Sequence, residues 1–150
     1  MSNPEASADF QPKILIVGAH ARARAPLVHG FLKENVRRYG LITVGVEPVD
    51  SVAGGILQLF EEEGISPEGI QTGPLGRAVN ENLRLVTWVS KEVQQQSPVI
   101  AAPCEKMVFD LPDPAEEIEA GKNPADVFYN LRDRVKEEVV PRVLDEIQSS

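Results

Sequence analysis

The sequence predicts an α/β domain built on a parallel sheet, and two observations indicate this fold class. Strand-like apolar runs alternate along the chain with segments of helical periodicity. The apolar runs are nearly continuous, as expected of strands that are covered on both faces. A chain of 150 residues is long enough for one domain with a substantial core.

The first predicted strand and helix enclose a short loop. Residues Ile14–Val17 form the apolar run of the strand, and Gly18 ends it. Pro26 fits the first turn of the helix that follows, because its fixed backbone angle and missing N–H are tolerated there. Apolar residues keep a helical period from there until Tyr39–Gly40.

The next predicted elements are a strand, a helix and a loop. Residues 41–46 (LITVGV) predict the second strand. Asp50 or Ser51 is suited to cap the following helix, which Gly64 ends in the usual way. Five glycine and proline residues make segment 67–76 a predicted loop.

Two more strands follow. Residues 83–89 (LRLVTWV) predict the third strand and residues 106–109 the fourth, with a short helix or turn at 90–96. Segment 110–114 (DLPDP) is a predicted turn, because two prolines in three positions prevent regular structure.

The last predicted element is a long amphipathic helix from Pro124 to Ile147. Its apolar residues recur near one face at helical spacing. Pro141 lies inside this pattern, so we expect it to kink or divide the helix.

Composition restricts the classes of function. The 15 basic and 23 acidic residues give a formal net charge of −8, which disfavours binding to nucleic acid or anionic membranes. The single Cys104 excludes an internal disulfide and a multi-cysteine metal site. Residues 1–12 lack the features of a signal peptide and are expected to be a polar, flexible leader to a domain at 13–150. A cytoplasmic protein is therefore expected.

The loop between the first strand and helix predicts an anion-binding site, because backbone N–H groups and the helix dipole converge at such a point. Arg24 is either an exposed arginine at the helix start or a guanidinium that bonds two phosphoryl oxygens. Arg22 and His20 either add charge or point into solvent. No residue of the loop is Cys, Ser or Thr, so it offers no side-chain nucleophile. The candidate anion-binding residues are Gly18, Ala19, His20, Ala21, Arg22, Ala23 and Arg24.

Three residues outside the loop have chemical interest. Asp113 follows the fourth strand, at the sheet edge where ligands of open α/β folds bind, and is either a proton donor or a turn-forming cap. Cys104 precedes that strand, so we expect an inert thiol at the opposite edge. Trp88 is expected in the core. No metal site and no cofactor are indicated.

The order of these segments resembles the low-molecular-weight protein tyrosine phosphatases and the thioredoxin-linked arsenate reductases that share their fold. The family's loop has the pattern Cys-x5-Arg after the first strand. Alignment on Arg24 and Pro26 places Gly18 at the nucleophilic cysteine and Arg24 at the arginine that grips the phosphoryl oxygens. The resemblance spans residues 13–147, and its further matches in order are segments 43–48, 63–66, 86–87 and 113–115.

The resemblance implies a three-layer sandwich with a four-stranded parallel sheet in the order 2-1-3-4. The departures from the family pattern fall on its chemistry. Gly18 replaces the nucleophile, Ala21 replaces the asparagine that braces the loop, and Ala25 replaces the serine that stabilises a thiolate. Val89 and Ser97 occupy the approximate positions of the relay cysteines of the arsenate reductases.

The resemblance therefore implies a phosphatase-like protein that is catalytically inactive, because it lacks the cysteine on which the family's covalent catalysis depends. It would bind phosphate or a related oxyanion, free or on a phosphorylated ligand, and act as a binding or regulatory module. One alternative is a phosphoric-monoester hydrolase or arsenate-related enzyme with a non-cysteine mechanism, in which Asp113 activates water. Another is a protein-interaction subunit whose loop binds no anion.

Overall fold

The computed structural model describes residues 11–49, 51–78 and 81–148, which form a parallel sheet flanked by helices. Most of the predicted leader, residues 1–10, lies outside the described residues. The strands are β1 (Lys13–Gly18), β2 (Gly40–Gly45), β3 (Thr72–Pro74), β4 (Leu83–Trp88) and β5 (Glu105–Val108).

Six α-helices connect and flank the strands within the described part of the chain. They are α1 (Arg24–Asn35), α2 (Gly54–Glu63), α3 (Lys91–Gln96), α4 (Pro114–Glu119), α5 (Pro124–Arg134) and α6 (Val140–Gln148). These positions confirm the predicted alternation of strands and helices. Among the described helices, none combines the length and the apolar character that a membrane crossing requires.

The sheet has five strands, so the prediction of four strands is wrong in number. The order is β3-β2-β1-β4-β5, and all neighbouring strands are parallel. The predicted order 2-1-3-4 corresponds to β2-β1-β4-β5. The additional strand, β3, lies at the edge within segment 67–76, which had been predicted as a loop. Its three residues include a glycine and a proline and have no apolar period, so only pairing with β2 makes it a strand.

The start of α2 also differs from the prediction. The helix begins at Gly54, after Ala53, and neither Ser51 nor any other described side chain caps it. Asp50, the other predicted cap, lies outside the described residues. The N–H group of Ala53 instead donates to the carbonyl of Arg22 at 2.8 Å, so the chain before α2 is bound to the loop after β1.

The C-terminal segment stays helical through Pro141, but its winding changes shortly before the proline. A π-helical turn at Val135–Val139 joins α5 to α6, and the N–H group of Val140 donates to the carbonyl of Val135. This wider turn lies directly before Pro141, which has no N–H group to donate, so a local change in winding accommodates the proline. The apolar face is buried as predicted at Val127, Leu131, Val135, Val139 and Val143.

A buried histidine joins α1 to the sheet. His29 is 6% exposed, and its Nδ1 lies 2.8 Å from Oγ1 of Thr43 on β2. Burial, together with the positive charges of Lys33 and Arg77, lowers the pKa of His29 to about 4. The ring is therefore neutral near pH 7, and it helps to hold the helix that begins with Arg24.

The carboxyl ends of the central strands meet at one edge of the sheet. The carbonyl of Val17 on β1 accepts a hydrogen bond from Val89 at 3.1 Å, and the carbonyl of Val89 accepts one from Leu111 at 3.0 Å. These bonds place the segment after β5 beside the segment after β4, next to the loop after β1. The edge thus gathers three chain segments that are distant in sequence.

Candidate functional site

The loop between β1 and α1 turns its carbonyl groups outward, toward the segment that follows β2. Four carbonyls of the loop accept backbone hydrogen bonds of 2.8 to 3.0 Å from that segment. The pairs are Gly18 with Val46, Ala19 with Glu47, His20 with Val49 and Arg22 with Ala53. The outer rim of the loop is therefore fixed by a neighbouring stretch of backbone.

The N–H groups of the loop face the other way. In a trans peptide the N–H group points opposite to the preceding carbonyl, so the N–H groups of Ala19, His20, Ala21 and Ala23 point away from that rim. Within the described part of the chain, no N–H group of residues 19–24 has a hydrogen-bond acceptor. A concave row of unsatisfied N–H groups at a helix start is suited to bind an anion.

The loop holds one residue in a strained backbone conformation. Ala21 has φ of 58°, and it is the only described non-glycine residue with a positive φ. This conformation costs roughly 1–2 kcal/mol for an alanine. Because Ala21 has no polar side chain to brace the loop, the bonds from the segment after β2 must maintain the conformation. Gly45 permits this close approach, since a Cβ atom there would lie 2.7 Å from the carbonyl oxygen of Ala19.

A cavity of about 230 Å³ lies at the inner side of the loop. Its wall contains every residue of the candidate loop, so the structure places all seven predicted residues around one space. Among the described residues that line it, none is Cys, Ser, Thr or Tyr. The wall is completed from other segments by Ala53, Asp113, Pro114, Ala115, Ile118 and Phe128.

Arg24 is half-buried at the edge of this cavity, rather than exposed at the helix start. Its Nη1 donates to the carbonyl of Leu111 at 3.1 Å. Burial lowers the pKa of Arg24, and the carboxylates of Asp113, Glu116 and Glu92 act in the opposite direction. An arginine side chain still remains protonated, so the guanidinium is a fixed positive charge beside the loop.

The other two basic side chains of the loop are exposed. His20 has its Nδ1 2.8 Å from the carbonyl oxygen of Glu47, which accepts a hydrogen bond from the ring when Nδ1 is protonated. This bond ties the ring to the segment after β2 and leaves Nε2 available. Arg22 contributes to the cavity wall without a hydrogen bond or ion pair among the described residues.

Asp113 has the capping role that the sequence analysis offered as one alternative. Its Oδ1 accepts a hydrogen bond from the N–H group of Ala115 at 3.0 Å, at the start of α4. The same carboxylate also lines the cavity, and its charge acts to raise the pKa of Arg24. Asp113 is therefore both a structural cap and a charged group of the candidate site.

Cys104 lies at the opposite, amino-terminal edge of the sheet, directly before β5. It lines a separate cavity together with Arg84, Lys106 and Glu146. Burial raises the pKa of its thiol, although Lys106 partly opposes this change. The structure thus separates the thiol from the loop. Trp88 is 4% exposed, which agrees with its predicted place in the core.

Several residues of the site were not found from the sequence. The carbonyl of Leu111 and the side chains of Ile118 and Phe128 come from segments almost 90 residues or more beyond the loop. Their sequence context resembles that of ordinary turn and helix residues, so no local signal marks them. Within the described residues, no group of three or more potential ligands is arranged to hold a metal ion.

Comparison with known proteins identifies the fold. No family model and no curated protein sequence matches this chain. Solved structures do match. An arsenate reductase from Archaeoglobus fulgidus is 20% identical, with a TM-score of 0.63 over 83% of this chain and 97% of that protein. A tyrosine phosphatase from Erwinia amylovora is 16% identical, with a TM-score of 0.63 over 85% of this chain and 90% of the other.

A third similar structure is that of a mutant arginine phosphatase with a phosphorylated serine in its active site. It is 16% identical and has a TM-score of 0.64 over 91% of this chain and 95% of that protein. At these identities the similarity establishes the fold alone. The predicted fold of low-molecular-weight phosphatases and arsenate reductases is thereby confirmed.

Proposed function

We propose that the loop of residues 18–24 binds phosphate or a related oxyanion, and that the protein acts as a binding or regulatory module. The observation that carries this proposal is the orientation of the loop. Its N–H groups have no acceptor within the described residues, while its carbonyls are bound to the segment after β2. An anion in the cavity would satisfy these donors, and Arg24 would add a charged one.

The composition of the cavity wall supports a binding role without covalent catalysis. Gly18 occupies the end of β1 where the resembling family has its nucleophilic cysteine, and no Cys, Ser, Thr or Tyr lines the cavity among the described residues. The arginine phosphatase mutant of the same fold holds a phosphoryl group on the serine that replaces its active-site cysteine. By analogy, the loop of this chain would surround a tetrahedral oxyanion without forming a bond to it.

Titration with inorganic phosphate and with arsenate tests the proposal. We expect the wild type to bind both anions, and Arg24→Ala to bind them about tenfold or more weakly, because a charged donor is lost. Arg22→Ala is the matched control, since its side chain is exposed, and it should change affinity less than Arg24→Ala. Calorimetry or phosphorus NMR gives the dissociation constants.

Equal affinities in the wild type and Arg24→Ala, or no binding by either, would contradict the anion site. The second outcome would favour a protein-interaction subunit, which pull-down and solution-mass measurements would then address. Circular dichroism of each variant separates a loss of binding from a loss of fold.

A hydrolase with a non-cysteine mechanism is the second candidate, and one observation favours it. The carboxylate of Asp113 lines the cavity, where it could activate water toward a bound phosphoryl group. The same negative charge repels a dianionic substrate, which argues against efficient turnover. Turnover of phosphate monoesters by the wild type, with its loss in Asp113→Asn, would support this enzyme over a binding module.

A further inference from the structure

We infer that the site selects oxyanions that keep a hydroxyl proton while doubly charged, and that Asp113 accepts this proton in a hydrogen bond. The preferred ligands are then free hydrogen phosphate and hydrogen arsenate, rather than sulfate or a phosphate ester. This inference rests on the proposed function and assigns Asp113 a positioning and specificity role, with no bond made or broken.

The cavity is lined both by hydrogen-bond donors and by a charged acceptor. The donors are the N–H groups of residues 19–24 and the guanidinium of Arg24. The charged acceptor is Asp113, the only carboxylate among the described residues that line this cavity. His20 is the other described side chain there with acceptor capacity, but an imidazole ring carries no negative charge.

Asp113 has one oxygen available for a ligand. Its Oδ1 is engaged by the N–H group of Ala115 at 3.0 Å, whereas Oδ2 has no hydrogen bond within the described part of the chain. The cap also fixes the carboxylate in place at the start of α4. A ligand held by the loop would therefore meet a rigid, negatively charged oxygen.

The chemistry of this contact distinguishes oxyanions by their protons. An oxygen that carries a proton forms a short, charge-assisted hydrogen bond to a carboxylate. An oxygen without a proton places a second negative charge against it, and neither group can donate. The loop and Arg24 attract any dianion, but Asp113 accepts only a protonated one.

Four dianions of equal charge allow a direct test at about pH 8. Hydrogen phosphate and hydrogen arsenate each keep one proton under this condition. Sulfate keeps none, and phenyl phosphate also keeps none because the second pKa of a phosphate ester is about 6. Charge and tetrahedral shape are thus matched at the loop, while the proton differs.

Calorimetric titration of the full chain with each dianion gives four dissociation constants. For the wild type we expect hydrogen phosphate and hydrogen arsenate to bind about tenfold or more tightly than sulfate and phenyl phosphate. In Asp113→Asn these differences should fall to about threefold or less, because the amide can present either a donor or an acceptor. Asparagine also caps helices as well as aspartate does, so α4 is retained.

Glu116→Gln is the matched control. Glu116 is an exposed carboxylate that, like Asp113, acts to raise the pKa of Arg24. It lines the neighbouring cavity and not the cavity of the loop. We expect this variant to keep the wild-type preference for protonated dianions. A loss of preference in Glu116→Gln equal to that in Asp113→Asn would assign the effect to general charge around Arg24 and overturn the inference.

The remaining outcomes separate this inference from the proposed function. Wild-type binding of sulfate as tight as that of hydrogen phosphate would overturn the selectivity and leave the anion site intact. An undiminished preference in Asp113→Asn would overturn the role of Asp113. Weak phenyl phosphate with tight sulfate would indicate exclusion of the phenyl group by size, and would likewise contradict recognition of the proton. Four titrations without binding would contradict the proposed function itself, and the inference with it.

Discussion

The amino-terminal and carboxyl-terminal edges of the parallel sheet both carry charged side chains. They differ in whether their polar groups have hydrogen-bond partners. At the amino-terminal edge, Arg84 donates to the carbonyl of Glu146 at 2.8 Å and lies 3.8 Å from its carboxylate. Lys106 there donates to the carbonyl of Ala102 at 2.7 Å. At the carboxyl edge, the N–H groups of residues 19–24 have no acceptor within the described residues.

This difference shows why charge alone does not mark a site. Protein structures leave few buried polar groups without a hydrogen bond. A row of N–H donors with no protein partner is therefore unusual, and it points to a ligand. By contrast, an arginine that is paired with a carbonyl and a carboxylate, as Arg84 is, gives no indication of a ligand. The contrast between the edges leads to three further tests.

Gly45→Val should remove the support of the loop. A Cβ atom at this position would lie 2.7 Å from the carbonyl oxygen of Ala19 and 3.1 Å from Cα of Pro48, and both are backbone atoms that cannot move independently. Overpacking of this kind costs about 1–3 kcal/mol of folding free energy. Chemical denaturation measures that cost, and we expect phosphate binding to be lost as well because the loop is displaced.

Gly76→Ala is the control for Gly45→Val, since nothing lies within 4 Å of a Cβ atom built at Gly76. It should leave both the stability and the phosphate affinity close to those of the wild type. Tight phosphate binding by Gly45→Val would show that the loop does not depend on this close approach.

Gly18→Cys in a Cys104→Ser background compares a thiol at each edge. Burial raises the pKa of Cys104, whereas a thiol at position 18 would face the N–H groups and Arg24, which favour the thiolate. We expect its alkylation by iodoacetamide near pH 7 to be about tenfold or more faster than that of Cys104 in the wild type. Phosphate should protect the introduced thiol and leave Cys104 unaffected.

The introduced Cβ would lie 3.0 Å from Cβ of Ala25, so the loop must shift by a few tenths of an ångström to accept it. Gly18→Ala in the same background reports the cost of that shift alone. Alkylation of the Gly18→Cys variant no faster than that of Cys104 would indicate that the carboxyl edge provides no more positive potential than the amino edge.

Arg84→Ala should have the smallest effect of the three. Loss of its hydrogen bond and ion pair with Glu146 should lower the free energy of unfolding by about 1 kcal/mol, because these contacts are partly exposed to solvent. Phosphate affinity should not change. A loss of phosphate affinity comparable to that in Arg24→Ala would mean that the two edges are not functionally distinct.

Much of the fold could be predicted from local patterns. The apolar run Ile14–Val17 is buried on β1, and Pro26 lies in the first turn of α1, as expected. Strand β3 could not be predicted, because its pairing partner lies about 30 residues earlier and its own residues have no strand signal. The π-helical turn before Pro141 was missed for a similar reason, since backbone winding responds to how the whole helix packs.

In the candidate site, too, the features that could be predicted are the ones that are local in sequence. The loop was predicted because a strand, a short glycine-containing segment and a helix start are all local features. The prediction that Arg24 contacts an anion stays a prediction, although its position beside the cavity agrees with it. Phe128 and the carbonyl of Leu111 were missed, because only the packing of α4, α5 and the segment after β5 brings them to the loop.

Sequence alone predicted the order of the elements and an anion-binding loop, and it showed that position 18 is a glycine with no nucleophilic side chain. Each of these depends on residue type and on neighbours a few positions away. Packing between distant segments established that the loop's carbonyls are bound, that its N–H groups have no acceptor within the described residues, and that Asp113 lines the same cavity. Hydrogen-bond satisfaction is a property of three-dimensional contacts between distant segments, so it cannot be read from any one of them.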